Sequence, residues 1–258
     1  QTCALPILFG GLYTPFATAA AVFLLAGIVP VLVWPKEPSS EEQPHTAMSA
    51  HMLMERFRAP RHAVEFWKAF ASRSLVSAGV GLTTMFLWFI ASALIFRDWF
   101  TQGNSSPIAV PVCSLIASMA LATLVGSVGA AFIAGPVGEY IEDPRYLSVI
   151  SCVLYTVALA LPMTMPSAVS MVLFALIGGF AFGLIDTFGQ LLAMGALPDA
   201  RSAGHDLAFF NLSNSVGLAL AAIIGAVGVA VTGGFSVLFP AAIVCVLASA
   251  VVTISMKR

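Results

Sequence analysis

Long stretches of this chain carry no charge and show no alternation of polar with apolar positions. Residues 75–96, 108–134 and 207–256 contain no Asp, Glu, Lys or Arg. A helix needs roughly 20 apolar residues to cross a hydrocarbon core, and the last of these runs is long enough for two, divided at Thr232, Gly233 and Gly234. Spans are expected over residues 14–34, 75–96, 108–134, 147–161, 168–194, 207–229 and 235–254, with 5–12 as the stub of a further helix. Only helices or closed barrels satisfy their backbone groups in lipid, and unbroken apolar runs without a period of two favour helices. The expected fold class is an all-α membrane protein, a multi-pass helical bundle.

The polar positions concentrate between the first two spans. WPKEPSSEEQPHTAMSAHMLMERFRAPRH is rich in Pro, Ser, Glu and His and reads as a mobile linker. Pro60 then opens a helical approach, where Phe66, Trp67 and Phe70 suit a membrane interface. If residues 36–73 are cytoplasmic and sides alternate, Lys36, Arg56, Arg58, Arg61, Lys68, Arg73, Arg145, Arg201, Lys257 and Arg258 all fall inside. Only Arg97 falls outside, and this asymmetry of Lys and Arg predicts a cytoplasmic C-terminus. Composition agrees with the pattern: of 258 residues, 59% are hydrophobic and 9% charged, against about 25% charged in a soluble domain. The mean hydropathy is +0.98. No basic tract of the kind that binds nucleic acid is present, so no nucleic-acid partner is expected.

Little in this composition is chemical. Cys113, Cys152 and Cys245 sit within apolar runs and Cys3 near the start, without the spacing of a zinc site or disulfide framework, so they read as packing or lipid-facing thiols. His45, His51 and His62 lie in or beside the linker without paired spacing and read as solvated. No metal or other cofactor is expected. Asp186, by contrast, is the single formal charge between Arg145 and Asp199, with no basic partner expected inside the spans. An ionised Asp at the bilayer centre costs about 2.5 to 3.5 kcal/mol, so Asp186 should face protein or a water-filled cavity. Gln190 follows one turn later on the same face. Gly179 and Gly183 form a small-xxx-small pair, with Gly189 a further gap, that would admit a neighbouring helix. Asp186 can be read as taking up a proton, a cation or a substrate hydroxyl, or equally as a structural acid across a helix contact. Asn211, Asn214 and Ser215 share one helix face, serving either interhelical hydrogen bonds or a substrate. Thr83, Thr84 and Trp88 are a weaker set, because Thr hydroxyls can bond their own helix.

The run LPDARSAGHDLAFFNLSNSVGLALAAIIGA, residues 197–226, resembles the loop and following helix near the end of major facilitator superfamily transporters. Pro198, Arg201, Ala203, Asn211 and Gly217 stand in the order common there. The layout is similar too: a span, a long basic loop, then six spans. GPVGEYIEDPRY, residues 135–146, lies where such transporters carry a Gly-rich charged loop between helices eight and nine; Gly135, Glu139 and Arg145 fit loosely. Tyr140 and Asp143 stand where basic residues are usual, and a plain turn capped by Asp143 and Pro144 is an equal reading. The resemblance implies a six-helix C-terminal half with one preceding helix. Residues 1–35 would be the last helix of an N-terminal half, 36–72 a cytoplasmic central loop and 73–258 the C-terminal half.

The resemblance further implies a transporter of the plasma membrane that moves a small solute by alternating access, proton- or ion-coupled. It would not be an enzyme, and its partners would be a small-molecule substrate, a coupling proton or cation, the lipid bilayer and the missing N-terminal half. Asp186, Gln190, Asn211, Asn214, Thr84 and Trp88 would contribute to the cavity. Gly135, Glu139, Arg145 and Arg201 would form conformational loops. Alternatives are a non-transporting subunit of the same fold and a membrane-embedded enzyme, for which no triad, zinc or phosphate-loop spacing is present. Sugars and drugs are both open as substrates, and a half-sized protein that dimerises is an alternative to a truncated one.

Overall fold

The computed structural model describes residues 63–98, 108–141, 143–196 and 203–256, together with positions 21, 24, 25, 27 and 28; the rest of the first expected span, the linker, Arg201 and the C-terminal Lys257 and Arg258 lie outside these residues. Each of the remaining six expected spans falls on helix. We number them α1 (Val64–Thr84), α2 (Leu87–Ile90, continued by a π turn at Ala91–Ile95), α3 (Ala109–Tyr140), α4 (Pro144–Thr164), α5 (Ala168–Gly195), α6 (Ala203–Thr232) and α7 (Leu238–Ile254). Five are long and apolar enough to cross a membrane, and α1 with α2 makes a sixth span bent by 45°.

The helices overrun the apolar runs because their polar ends are capped. Asp143 caps α4, accepting from the Arg145 N–H, and Pro144 occupies the first turn, where its missing donor costs nothing. Ser167 and Ser170 form a reciprocal capping box at the start of α5. α3, at 32 residues, is about 48 Å long at 1.5 Å per residue, more than a hydrocarbon core of about 30 Å requires. The bend after α1 has a local cause. Thr83 and Thr84 both donate their hydroxyls to the Val80 carbonyl, a competition with the backbone ladder that bends helices.

α5 packs against α3 on one side and α4 on the other; α4 meets α7, and α1 lies between α7 and α6. The order in space is therefore α3, α5, α4, α7, α1, α6, with a short direct contact between α1 and α5. Small residues set the two tightest seams. A Cβ on Gly126 would lie 2.2 Å from the Leu176 carbonyl oxygen, and one on Gly179 would lie 2.6 Å from that of Thr123. Between α1 and α6, a Cβ on Gly217 would lie 2.4 Å from the Ser74 carbonyl oxygen. Gly179 and Gly183 thus admit α3, as expected, whereas a Cβ on Gly189 would meet nothing within 4 Å. Leu82, Leu159, Met171 and Leu238 fill the core, while Leu121, Phe132 and Val231 stand exposed on faces suited to lipid.

Three sequence readings need correction. Phe66 is not interfacial: it is fully buried, 6.4 Å ring to ring from Phe210. Gly135 and Glu139 are not in a loop; both lie on the last turns of α3, which continues past Pro136 to Tyr140. Cys152 and Cys245 are buried free thiols, but Cys113 is disulfide-bonded, against the packing-thiol reading.

Candidate functional site

Asp186 sits in the interior of α5, partly buried, and it does have a basic partner. Arg73 of α1 donates from Nη2 to Asp186 Oδ1, and Gln190 donates from Nε2 to Asp186 Oδ2 at 3.1 Å. The Arg73 side chain is 16% exposed and that of Asp186 36%. Both carboxylate oxygens are therefore engaged, one across helices and one along α5 at the i, i+4 spacing. The Arg73 Nη1 atom is buried without a protein acceptor, and Arg73 shares a cavity of about 20 Å³ with Ser72, Ser148 and Gly189.

The sequence reading missed Arg73 because the uncharged run begins only at Leu75. The helix begins eleven residues earlier, at Val64, and the available signal was its periodicity. Phe66, Ala69, Arg73 and Val76 follow the spacing i, i+3, i+7, i+10 of one helix face, and the three apolar members are buried. A base on that stripe has to meet an acceptor.

Beside the pair lies a polar contact between α1 and α6. Ser77 donates to Asn214 Oδ1 at 2.8 Å, and Asn211 is exposed one turn earlier on α6. Thr84 and Trp88 are not brought to the ion pair. Thr84 lies eleven residues beyond Arg73, about 16 Å along a helix, and Trp88 is 37% exposed on α2.

Arg145 belongs to a different cluster. It holds Asp143 through Nε at 2.9 Å and donates from Nη1 to the Met256 carbonyl, while Lys68 donates to the Ser255 carbonyl at 2.7 Å. Two cations from α4 and α1 thus cover the carbonyl end of α7, where the helix dipole favours positive charge. Nearby, Ser72 bonds both Ser249 and Thr253 of α7 at 2.9 and 2.8 Å. Gly135 and Glu139 are exposed on α3 and take no part in this cluster.

No protein-family model matches the chain, and no curated protein matches it either. Among solved structures it is similar to the crystal structure of a major facilitator superfamily transporter, FucP, in the outward conformation. The TM-score is 0.59 at 12% identity, over 95% of this chain and 54% of that one. The chain therefore spans about half the length of that transporter and shares the fold of the part it covers, an all-α bundle with several helices able to span a membrane.

Proposed function

We propose that this chain forms the C-terminal half, with the last helix of the N-terminal half, of a secondary transporter in the plasma membrane. It would carry a small solute by alternating access coupled to a proton or cation. The carrying observation is the Arg73–Asp186–Gln190 cluster, an ion pair joining α1 to α5 among helices long and apolar enough to cross a membrane. Charged side chains at membrane depth are costly and concentrate where ions or substrates pass.

The Asp186 carboxylate has two states in such a cycle. Ionised, it accepts from Arg73 and Gln190, and α1 and α5 are tied together. When a proton or cation takes the carboxylate, the attraction to Arg73 falls and the two helices can part, which is the differential interaction a conformational change requires. Arg73 must then find another acceptor, and an anion, a substrate oxygen or water would serve. Asn211 and Asn214 add hydrogen-bonding groups from α6. The fold of a transporter supports this reading. So does the grouping of Lys68, Arg73 and Arg145 toward the end of the bundle where α7 finishes, with Arg97 at the start of the 99–107 connection; that end is assigned to the cytoplasm.

The test is uptake of a labelled panel of sugars, neutral aromatics and organic ions into vesicles, with and without an imposed pH gradient. Gradient-driven uptake that Asp186→Asn reduces to the no-gradient level is expected. Gradient-driven uptake unaltered in that variant overturns the coupling role, and no uptake of any solute by the wild type overturns transport.

A further inference from the structure

A second cavity, of about 360 Å³, opens between α1, α3 and α5, and among the described residues no charged side chain lines it. It exists because α5 presents small residues there: Ala175, Gly178 and Gly179 leave the space, and Phe174 and Phe182 bracket it one turn to either side. Ile116 and Met119 of α3 form the facing wall. A Cβ on Gly178 would stand 3.2 Å from the Phe174 ring, a tight approach, and the Tyr155 ring forms the floor. Tyr155 is 3% exposed and meets Phe174 edge to face, with centroids 6.1 Å apart.

The polar groups of the lining are mostly engaged within the protein. Thr83 donates to the Val80 carbonyl at 2.9 Å. Thr84 donates to the same carbonyl at 3.0 Å. The other lining hydroxyls are those of Thr123, on an exposed position of α3, and of Tyr155, on a buried position of α4. A polyol would thus lose its hydration to a wall with few groups to replace it, and an ion would find no counter-charge. Aromatic edges and aliphatic groups around a space within the 300 to 1,000 Å³ typical of ligand sites suit a ring system.

Resting on the transport reading for what becomes of the ligand, the geometry points to a binding site for a neutral, largely apolar aromatic solute. Its polar groups are few, chiefly the Thr123 and Tyr155 hydroxyls. The site stands one helical turn from Asp186 through Phe182, so an occupant lies beside the ion pair without needing a charge to pair with it. This selects between the two substrate classes that sequence left open: the site takes uncharged drug-like aromatics and rejects sugars.

The test is saturable binding to the full chain in nanodiscs, followed by fluorescence, of two probes on one ring scaffold. These are neutral N-phenyl-1-naphthylamine and anionic 8-anilino-1-naphthalenesulfonate. The neutral probe is expected to bind saturably, and the sulfonate on the order of 100-fold more weakly, because its charge would be buried unpaired. Ala120→Phe, at an exposed lining position, is expected to weaken the neutral probe about tenfold by occupying the mouth. Phe132→Leu, on an exposed site that does not line the cavity, is expected to leave binding unchanged. Equal binding of the sulfonate, only non-saturable uptake of the neutral probe, or no loss in a helical, monodisperse Ala120→Phe protein each overturns the inference. Phe182→Ala serves as the second variant if Ala120→Phe does not fold, since losing one bracketing ring should weaken binding similarly. Saturable, cavity-dependent binding with no flux of the probe in vesicles leaves the site standing and overturns its transport role.

Discussion

One methyl group should act with opposite signs at two glycines, Gly126 in the seam between α3 and α5 and Gly189 on α5 away from that seam. In Gly126→Ala the new Cβ would lie 2.2 Å from the Leu176 carbonyl oxygen and 2.8 Å from the Phe180 backbone nitrogen. Both obstacles are main chain, so no rotamer change relieves them, and the helices must separate by about 1 Å to restore contact near the 3.3 to 3.6 Å usual between carbon and oxygen. Overpacking of this kind costs about 1 to 3 kcal/mol, and an obstacle that cannot rotate away places the variant at the upper end. At Gly189, within α5 and not followed by proline, a Cβ meets nothing within 4 Å, and replacing a helical glycine by alanine stabilises by about 0.5 to 1 kcal/mol. With roughly 2 to 4 °C of melting temperature per kcal/mol for a chain of this size, Gly126→Ala should melt about 6 to 12 °C below the wild type. Gly189→Ala should melt about 1 to 4 °C above it. The assay is thermal unfolding in one detergent, followed by helical circular dichroism. Equal melting temperatures for the two variants would refute the assigned seam.

Other parts of the bundle make equally direct predictions. Asp143→Ala should destabilise by about 1 kcal/mol through loss of the α4 cap, while Asp143→Asn, which keeps an accepting oxygen, should lose much less; equal losses would show that charge, not capping, matters there. Ser77→Ala and Asn214→Ala should each cost about 0.6 kcal/mol and should not add in the double variant, because they remove one shared bond; additive losses in denaturation would contradict that bond. The uncharged cavity between α1, α3 and α5 should bind a neutral aromatic probe far more tightly than its sulfonate, read by fluorescence titration.

Much of the fold was legible because the hydrocarbon requirement is written in one dimension. Apolar runs placed six of the spans, and their termini were visible where Asp143–Pro144 and Ser167–Ser170 supply caps. The continuation of α3 through Gly135 and Glu139 was not, because Gly and Pro in GPVG carry a turn signal that the tertiary setting overrides. Asp186 and Gln190 could be paired from spacing alone. Arg73 could not be joined to them, since which residues of two helices meet depends on their relative register and rotation, and those follow from packing at Gly126, Gly179 and Gly217. The cavity was hidden for the same reason. Gly178 and Gly179 looked like a packing surface, but only Gly179 meets α3 closely, and the space beside them opens between three helices.

The proposed coupling requires that Arg73 and Asp186 act as one unit, whose making and breaking would tie solute movement to a proton or cation. Reconstituted protein in vesicles carrying an internal pH dye, given a solute gradient, reads this directly as solute-driven proton movement. Among the wild type, Arg73→Gln, Asp186→Asn and the double variant, coupled movement is expected in the wild type alone. The double variant should also retain more uncoupled solute flux than Arg73→Gln, because it leaves no unpaired charge between α1 and α5. Solute-driven proton movement that survives in folded Asp186→Asn would be incompatible with coupling through this pair.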